Sequence, residues 1–555
     1  MKEKLWQKFY DPGVILSPTY LTIPLKEQFI AQVKKDPDRP YIYCSDQVIT
    51  YREANIAACK LANALINAGV RKGDRVAITL PNISEFVISV QACLKIGAII
   101  VLTNPRYKKR ELTYQYSDSG AETVICLNEN ENINIELLKE KAGFLKRVIV
   151  IPNVEVDSNL PEGIVGYKEF VRNSPEYEPE IDIDLEDIAV LVYTGGTTGV
   201  SKGCCVTHKN LIAVASGWKQ MCQFFTDVEH YKVLSSTPMY HVHGFQTTIN
   251  ANILLGGSII ILPEITIDNI IKAIHKYEPN VWPAVPAQIC ALTKRPDLPI
   301  SKVKKIQHLG CGSAPLPVSL IRKFEAMTSV PIIEGYGASE TSMAVASNPI
   351  RKRKMGSVGI PYPNIDFKVV DLKAGEIGLP VGEIGELCFK GPQVIKEYWQ
   401  HPDETALALR DGWWYSGDIG YMDEEGYIFV LDRKKDMIIC SGFNVFCNEV
   451  DDILNSHPNI LEAGVVGIPD SKRGETVKAF VVVKPGKELS EDEVKTYCRQ
   501  YLAAYKVPTL VEFMDTLPRT YVHKLDRKAL RLREECYRMS LESSETNWSH
   551  SFSAR

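Results

Sequence analysis

Residues 193–203 combine the residue types that hold a polyphosphate. They read Tyr-Thr-Gly-Gly-Thr-Thr-Gly-Val-Ser-Lys-Gly. Glycine lets backbone amides approach phosphate oxygens because no Cβ intervenes, and hydroxyls and an ammonium add donors and charge. The apolar run before them, residues 188–192, predicts a buried strand, so the loop is expected at a strand's carboxyl end, where α/β folds bind ligands. The candidate phosphate-binding residues are Thr194, Gly195, Gly196, Thr197, Thr198, Gly199 and Lys202.

This loop differs from the nucleotide P-loop G-x-x-x-x-G-K-[ST], because Gly199 lies three residues before Lys202 and Gly203 follows the lysine. An ordinary Gly/Thr surface turn is the alternative interpretation, since short motifs also occur by chance. The other segments decide between the two.

A second segment, residues 334–340, reads Glu-Gly-Tyr-Gly-Ala-Ser-Glu and follows the apolar triplet 331–333. That order predicts another strand end. The ring of Tyr336 can stack on adenine beside Gly337, and the carboxylate of Glu340 can hold magnesium. A glycine-rich turn with a solvated glutamate is the alternative.

Two further segments are rich in small residues or histidine. Residues 309–316 form a small-residue turn before a helix predicted over 318–326, and residues 238–245 read Pro-Met-Tyr-His-Val-His-Gly-Phe. A lone histidine is more often a satisfied core or surface residue, and that interpretation is kept for His243. His241 becomes a site candidate through the resemblance described next.

Together these segments resemble the adenylate-forming superfamily, which comprises acyl-CoA and aryl-CoA synthetases, luciferases and peptide-synthetase adenylation domains. The resemblance extends, in the family's order, to residues 385–387, 414–420, 431–436, 441–444 and 517–527. Four positions depart from the family: Gly196 stands where it has Ser, Ser201 where it has Pro, Ser339 where it has Thr, which keeps the hydroxyl, and His523 where it has Gly.

The resemblance implies a role for each matching residue. The loop would hold the ATP phosphates, Gly312, Ser313, Ala314 and Pro315 would enclose adenine, and Tyr336 and Gly337 would lie against it. Ser339 would lie near the α-phosphate, Glu340 on magnesium, Asp418 on both ribose hydroxyls, and Arg433 on ribose and phosphate. The remaining roles are His241 beside the incoming carboxylate, Lys435 at a hinge, Gly442 and Phe443 along the pantetheine tunnel, and Lys202 and Lys524 in catalysis.

The resemblance therefore implies an AMP-forming carboxylate–CoA ligase that uses ATP, Mg²⁺ and CoA. An amino-acid substrate is disfavoured because residues 239–245 contain no acid, whereas the amino-acid-activating branch has an aspartate there. The charged run 432–436, followed by Met-Ile-Ile, most resembles enzymes for medium- or long-chain fatty acids, and Phe245 would gate an apolar tunnel. The alternatives are an aromatic or alicyclic acid, a luciferase-like enzyme or other non-CoA acceptor, and a non-catalytic nucleotide-binding protein.

The bulk properties agree with a large globular enzyme. The chain has 555 residues, which predicts several subdomains. Its net charge of −4 argues against nucleic-acid binding. The 14 cysteines include no C-x-x-C pair, and neither an apolar signal region nor an 18-residue apolar run is present. We expect a cytoplasmic monomer or homodimer, with peripheral contact to a membrane left open.

Alternating patterns predict an α/β fold. Strands are predicted at 75–80, 97–102, 123–126, 148–151 and 258–262, with helices at 85–96, 109–116, 250–255 and 267–277. This βαβ order predicts a large N-terminal domain of stacked sheets, with a small β-barrel-like subdomain. A small mobile α+β domain should follow. The expected boundaries are 1–432 for the ATP- and acid-binding domain, 433–541 for the mobile domain, and 542–555 for a flexible tail.

Overall fold

The computed structural model describes residues 4–128, 134, 136–137, 145–151, 162–194, 201–222, 231–470, 472–520 and 525–536. The strands of these residues form four sheets. In chain order they are β1 Pro40–Cys44, β2 Gln47–Thr50, β3 Arg75–Thr79, β4 Ile99–Leu102, β5 Thr123–Leu127, β6 Arg147–Ile151, β7 Ile164–Gly166, β8 Ile188–Tyr193, β9 Gly203–Thr207, β10 Lys232–Ser235, β11 Ser258–Ile261, β12 Val281–Ala284, β13 His308–Cys311, β14 Ile332–Tyr336, β15 Ala346–Ser347, β16 Ile360–Pro361, β17 Asp366–Val370, β18 Gly385–Lys390, β19 Leu409–Arg410, β20 Trp413–Met422, β21 Ile428–Arg433, β22 Ile438–Cys440, β23 Phe443–Val445, β24 Ile460–Asp470, β25 Gly474–Val483 and β26 Leu510–Phe513.

Helices connect most of these strands. The α-helices are Leu25–Lys35, Tyr51–Asn67, Ser84–Ile96, Lys109–Ser119, Tyr167–Phe170, His208–Met221, Val242–Gly244, Ala251–Leu255, Ile267–Tyr277, Pro286–Leu292, Ile300–Val303, Val318–Thr328, Pro402–Ala408, Cys447–Asn455 and Glu491–Arg499. Residues 527–536 are also helical. Leu5–Phe9 and Ser339–Thr341 are 3₁₀-helices, and Phe245–Asn250 is a π-helix. Among the described helices, none has the length and apolar character needed to cross a membrane.

The first sheet has seven strands in the order β7-β6-β5-β3-β4-β8-β9. Its pairs are parallel except β8 with β9. Strands β4 and β5 are buried along their whole length, as continuous Val/Ile-rich runs in a parallel sheet require. The predicted βαβ order is thus confirmed. Strand β4 begins two residues later than predicted because Gly97, in the left-handed region at φ 66°, ends the preceding helix.

The second sheet has nine strands in the order β16-β15-β14-β13-β12-β10-β11-β1-β2. Its central pairs, from β14 across to β1, are parallel. The side chain of Asn82, just beyond β3, connects the two sheets: it donates to Thr237 O at 2.9 Å and accepts from Met239 N at 2.8 Å. Loops beyond β3 and β10 therefore meet at one place, where ligand-binding loops are expected.

The third and fourth sheets follow in the chain. Strands β17 to β21 form a five-stranded antiparallel sheet. Strands β22 to β26 form another five-stranded sheet, whose own apolar cluster includes Val450, Val465 and Val481. The predicted α/β class, with a large N-terminal part and a smaller α+β C-terminal part, is confirmed.

Candidate active site

The two stems of the phosphate loop form an antiparallel hairpin. Thr194 N donates to Lys202 O at 2.9 Å, and the Ser201 hydroxyl donates to Thr194 O. Tyr114 holds the second stem from outside by donating to Ser201 O at 2.7 Å. The chain leaves the loop as strand β9, whereas a helix follows the loop in a P-loop. The predicted residues 195–199 lie outside the described residues.

Three predicted nucleotide-binding residues form one bonded cluster. Strand β20 pairs with β21 so that Asp418 and Arg433 lie opposite each other, and Arg433 Nε contacts Asp418 Oδ1 at 3.0 Å. Tyr336, at the end of β14, donates its hydroxyl to Asp418 Oδ2. Asp418 is buried, and its charge is the main cause that raises the pKa of Arg433. Both carboxylate oxygens are thereby oriented, Oδ1 by Arg433 and Oδ2 by Tyr336.

The tyrosine of this cluster is fixed on its apolar side. Its ring packs on Trp414, with centroids 6.4 Å apart and planes at 30°, and on Phe389 at 5.5 Å. Gly337 follows, and a Cβ there would stand 1.9 Å from Met343 O, so no other residue fits. Tyr336 and Gly337 therefore form a rigid surface against which a flat base can lie.

Glu340 and Lys202 meet at a third residue. The Tyr398 hydroxyl donates to Glu340 Oε1 at 2.8 Å, and Lys202 Nζ lies 5.2 Å from the centroid of the Tyr398 ring. The charge of Glu340 also contributes to the raised pKa of Arg433. Tyr398 thus contacts both the carboxylate and the ammonium, and Glu340 lies close enough to Arg433 of the Asp418 cluster to affect its pKa. Ser339 begins the short 3₁₀-helix that carries Glu340.

The histidine segment meets the small-residue turn. His243 N donates to His241 Nδ1 at 3.4 Å, and the Ser313 hydroxyl lies 3.3 Å from His243 Nδ1. Ser313 adopts φ 68° at the turn that contains Gly312, Ala314 and Pro315. A Cβ at Gly312 would meet only Gly335 O, at 3.4 Å, so space remains between this turn and β14. His241 and the turn predicted to enclose adenine are therefore neighbours.

Comparison with known proteins identifies the family. The model of the AMP-binding enzyme family matches residues 29–399, more than half of the chain, and that of the AMP-binding enzyme C-terminal domain matches residues 449–524.

The chain belongs to the AMP-binding enzyme family.

Named relatives cover nearly the whole of this family member. It is 38% identical to the long-chain-fatty-acid–CoA ligase of Bacillus subtilis (strain 168), over 92% of this chain and 96% of that protein. It is 32% identical to the feruloyl-CoA synthase of Amycolatopsis sp, over 91% and 98%.

Solved structures agree with the described fold. The ATP-bound MatB of Rhodopseudomonas palustris superimposes with a TM-score of 0.84 at 30% identity, covering 92% of this chain and 99% of that one. O-succinylbenzoate coenzyme A synthetase (MenE) of Bacillus subtilis, with ATP and magnesium ion, gives 0.79 at 28%, covering 91% and 99%. The predicted superfamily and enzyme class, an AMP-forming acyl-CoA synthetase that uses ATP, are confirmed.

Other predicted residues of this AMP-binding enzyme lie apart from the cluster. Gly442 and Phe443 lie in the β22–β23 hairpin, where Phe443 stacks on Tyr505 with centroids 4.7 Å apart. In the described part of the chain, no hydrogen bond or ring stacking joins this hairpin to Tyr336 or Glu340. Lys524 lies outside the described residues. The structure thus brings together the ATP-site candidates and leaves the CoA-site candidates separate.

Sequence reasoning assigned no role to several residues that support the site, although Glu386 and Trp414 lie in segments that resemble the family. Tyr398, Trp414 and Phe389 contact predicted residues directly, and Glu386 accepts from Gly417 N and from Lys434 Nζ at 3.0 and 2.9 Å. Tyr398 lies between Glu397 and Trp399 in a segment without helical or strand periodicity. Its only sequence signal is an aromatic pair flanked by polar residues, which is too common to indicate a site.

Glu334 is a buried acid two residues before Tyr336. Burial raises its pKa from an ordinary value of 4.5 to about 7, and Glu325 adds to the shift, whereas a hydrogen bond from Gly356 N and the charge of Arg353 oppose it. The folded protein therefore binds more protons at Glu334 than the unfolded chain does between these two pH values. The free energy of unfolding contributed by this group falls as pH rises through that window.

Glu334→Gln is expected to remove this pH dependence. The stability of the variant relative to the parent should rise from about pH 4.5 to about pH 7 and then level off, by at most about 3 kcal/mol. Urea unfolding at a series of pH values measures the difference. Glu424→Gln, at an exposed glutamate, is the control. A difference that stays constant across the series would contradict the prediction.

Proposed function

We propose that this enzyme activates a medium- or long-chain fatty acid and transfers the acyl group to CoA. The carboxylate attacks the α-phosphorus of ATP, pyrophosphate leaves, and the CoA thiol then attacks the acyl carbon and displaces AMP. The observation that carries the proposal is the bonded cluster of Tyr336, Asp418 and Arg433, together with Glu340 and Lys202, which both contact Tyr398. These groups suit a nucleoside triphosphate.

Charge is the main difficulty of the first step, because a weakly nucleophilic carboxylate must approach a polyanion. Catalysis should therefore come from neutralising phosphate charge and aligning the attack. Lys202 at the loop stem would contact the outer phosphates, and Lys524 would contact the reacting groups. His241, beside the Gly312–Pro315 turn, would orient the acid. Ser339 would bind near the α-phosphate.

The residues present fit a magnesium site. Mg²⁺ is usually held by one or two carboxylates together with substrate phosphates. Glu340 supplies one carboxylate, whose Oε1 accepts from Tyr398, and the ring of the same tyrosine faces Lys202. When bound, Mg²⁺ would neutralise phosphate charge. We place the metal at Glu340 on these grounds.

The β22–β23 hairpin is the proposed CoA-binding element. Gly442 adopts φ 82°, and a Cβ there would meet nothing within 4 Å, so a ligand can lie close to its backbone. The side chain of Phe443 is exposed and its ring stacks on Tyr505. Because this hairpin lies apart from the ATP cluster, a rotation of residues 433–541 against 1–432 would present it for the second step.

The contacts around Lys435 support a hinge at this residue. Before it, Lys434 N donates to Gly417 O at 2.8 Å, in the third sheet. After it, Asp436 is held by the C-terminal part: Arg531 contacts Asp436 Oδ1 at 2.8 Å, and Cys447 Sγ donates to Asp436 O at 3.0 Å. Burial lowers the pKa of Lys435 to about 8, although Asp436 opposes the shift. The chain is therefore bonded to the third sheet just before Lys435 and to the C-terminal part just after it.

Lys435→Pro is expected to impair the thioester step more than adenylation, by about 10-fold or more, because proline fixes the φ angle that a hinge must change. Pyrophosphate release and acyl-CoA formation from supplied acyl-adenylate measure the two steps separately. Lys435→Ala, which keeps backbone freedom, should affect the second step far less. Equal behaviour of the proline and alanine variants would argue against a hinge at this position.

The choice of a fatty acid rests on the relatives and on two positions without side chains, Gly310 in β13 and Gly312 just beyond it. A Cβ at Gly310 would meet the His308 ring, at 3.3 and 3.8 Å, and a Cβ at Gly312 would meet Gly335 O at 3.4 Å. The two glycines lie about 7 Å apart at strand geometry. Burial lowers the pKa of His308 to about 4, so its ring is neutral at physiological pH, as an apolar ligand requires. The feruloyl-CoA synthase relative favours an aromatic acid as the second candidate.

Pyrophosphate release with Mg·ATP over acids of graded chain length and ring type, with and without CoA, tests the proposal. Fatty acids should give AMP, and acyl-CoA should appear when CoA is present. A preference for aromatic acids would favour the second candidate, and AMP without thioester would indicate another acceptor. If no acid yields AMP, the proposed function is wrong.

A further inference from the structure

The segment 395–399, here called the clamp segment, is bonded to both halves of the phosphate site. On one side Trp399 N donates to Gly203 O at 2.7 Å and Cys205 N donates to Glu397 O at 3.1 Å, which extends the sheet beyond β9. On the other side Ile395 N donates to Glu340 O at 2.9 Å. The clamp segment thus connects the stem of the phosphate loop to the backbone of Glu340.

Tyr398, in the clamp segment, makes the same connection with its side chain. Its backbone forms an isolated β-bridge with Cys204 in β9, two residues after Lys202. Its hydroxyl donates to Glu340 Oε1 at 2.8 Å, and its ring faces Lys202 Nζ at 5.2 Å. One side chain therefore contacts both the Glu340 carboxylate and the Lys202 ammonium, which the proposed function assigns to Mg·ATP.

We propose that Tyr398 is a positioning residue that sets the direction of the Glu340 carboxylate toward the metal and holds the Lys202 ammonium beside it. The proposal rests on the proposed function, which places Mg²⁺ at Glu340. A hydrogen bond to one carboxylate oxygen fixes the plane of the group and leaves the other oxygen directed at the ligand. Partners of this kind commonly change metal affinity by about 10- to 100-fold when they are removed.

The hydroxyl and the ring of Tyr398 make two different contacts. The hydroxyl donates to Glu340 Oε1, and the ring faces Lys202 Nζ. The ring acts separately, since a cation over an aromatic face is attracted whether or not the hydroxyl is present. The two contacts can therefore be removed one at a time.

The alternative is that Tyr398 only packs at the edge of the sheet. The backbone bonds of the clamp segment and the ring contact to Lys202 would survive in Tyr398→Phe, so packing alone predicts an unchanged metal dependence. The proposed role predicts that only the Mg²⁺ dependence of nucleotide binding changes in this variant. Tyr51→Phe is a matched control, because it removes a buried hydroxyl that donates to Gly257 O at 2.7 Å, away from the clamp segment.

Calorimetric binding of α,β-methylene-ATP at increasing MgCl₂ tests the proposal on the full chain without turnover. In Tyr398→Phe the Mg²⁺ concentration for half-maximal tightening should rise about 10-fold, whereas affinity for the analogue in EDTA should not change. Pyrophosphate release should show the same shift in Mg²⁺ dependence. Tyr51→Phe should match the parent in both measurements.

Glu340→Gln separates the possible failures. If Glu340→Gln shifts the Mg²⁺ dependence and Tyr398→Phe does not, the positioning role is overturned and the metal assignment stands. If neither variant shifts it, the metal site of the proposed function is itself wrong. A Tyr398→Phe protein that loses affinity equally in EDTA and in MgCl₂ would also overturn the proposal, since the defect would then not depend on the metal.

Discussion

Asp418→Asn should lower kcat/KM for ATP by about 10²- to 10³-fold, mainly through the KM for ATP. The reason is charge: hydrogen bonds to a charged acceptor contribute about 1.5 to 3 kcal/mol each, and the proposed ribose contact uses two hydroxyls. Asparagine has the same shape but offers only one acceptor and no charge. Pyrophosphate release at varied ATP concentration measures the effect.

The contacts of Asp418 explain why the substitution should spare the fold. Tyr336 can still donate to the asparagine oxygen, and Arg433, whose side chain is half exposed, can turn to water. Asp366→Asn is the matched control, because Asp366 lies in the same sheet and pairs with Lys4 at 2.7 Å on the surface. Equal ATP kinetics in parent and Asp418→Asn would remove the ribose role. A matching loss in Asp366→Asn would attribute the effect to the sheet.

Most single elements of the fold were predictable because their signals are local. The buried run before the phosphate loop is β8, and the helices predicted at 85–96 and 267–277 occur at Ser84–Ile96 and Ile267–Tyr277. Glycine marks the end of the first of these helices, because Gly97, at φ 66°, follows Ile96. Such signals need only neighbouring residues.

The pairing of distant elements was not predictable in the same way. Nothing local indicates that β9 would turn back along β8, or that the Tyr336 hydroxyl would donate to Asp418, 82 positions away. The role of Tyr398 emerges only because the clamp segment lies beside β9. Burial, which depends on the whole fold, is the main cause that raises the pKa of Glu334 and lowers the pKa of Lys435.

One departure from the family loop, Ser201, has a structural explanation. Ser201, where the family has Pro, donates its hydroxyl to Thr194 O and so closes the hairpin stem. Proline restricts the backbone by its ring, whereas serine restricts it here by a hydrogen bond. The stem is thereby held without proline. Gly196 and His523 lie outside the described residues, and their effects stay predictions.

Lys524→Ala should abolish most adenylation, by about 10²- to 10³-fold in kcat, because one donor directed at developing charge is commonly worth that much. The assignment of Lys524 rests on the family resemblance. The described residues on either side of 521–524 are bonded to each other: Arg519 pairs with Leu525, and Asp526 N donates to Pro518 O at 2.9 Å. Leu525 packs beside Gly464. Pyrophosphate release measures the first step.

The same variant should form acyl-CoA from supplied acyl-adenylate within about threefold of the parent rate, because the second step no longer needs charge neutralised on the outer phosphates. Lys528→Ala, at an exposed lysine four positions on, should leave both steps unchanged. An equal loss of both steps in Lys524→Ala would refute the division of labour between two positions of the C-terminal part. The acyl-adenylate is the product of the first half-reaction and the substrate of the second. A substitution can therefore slow one half-reaction and spare the other only if the residue acts in that one alone.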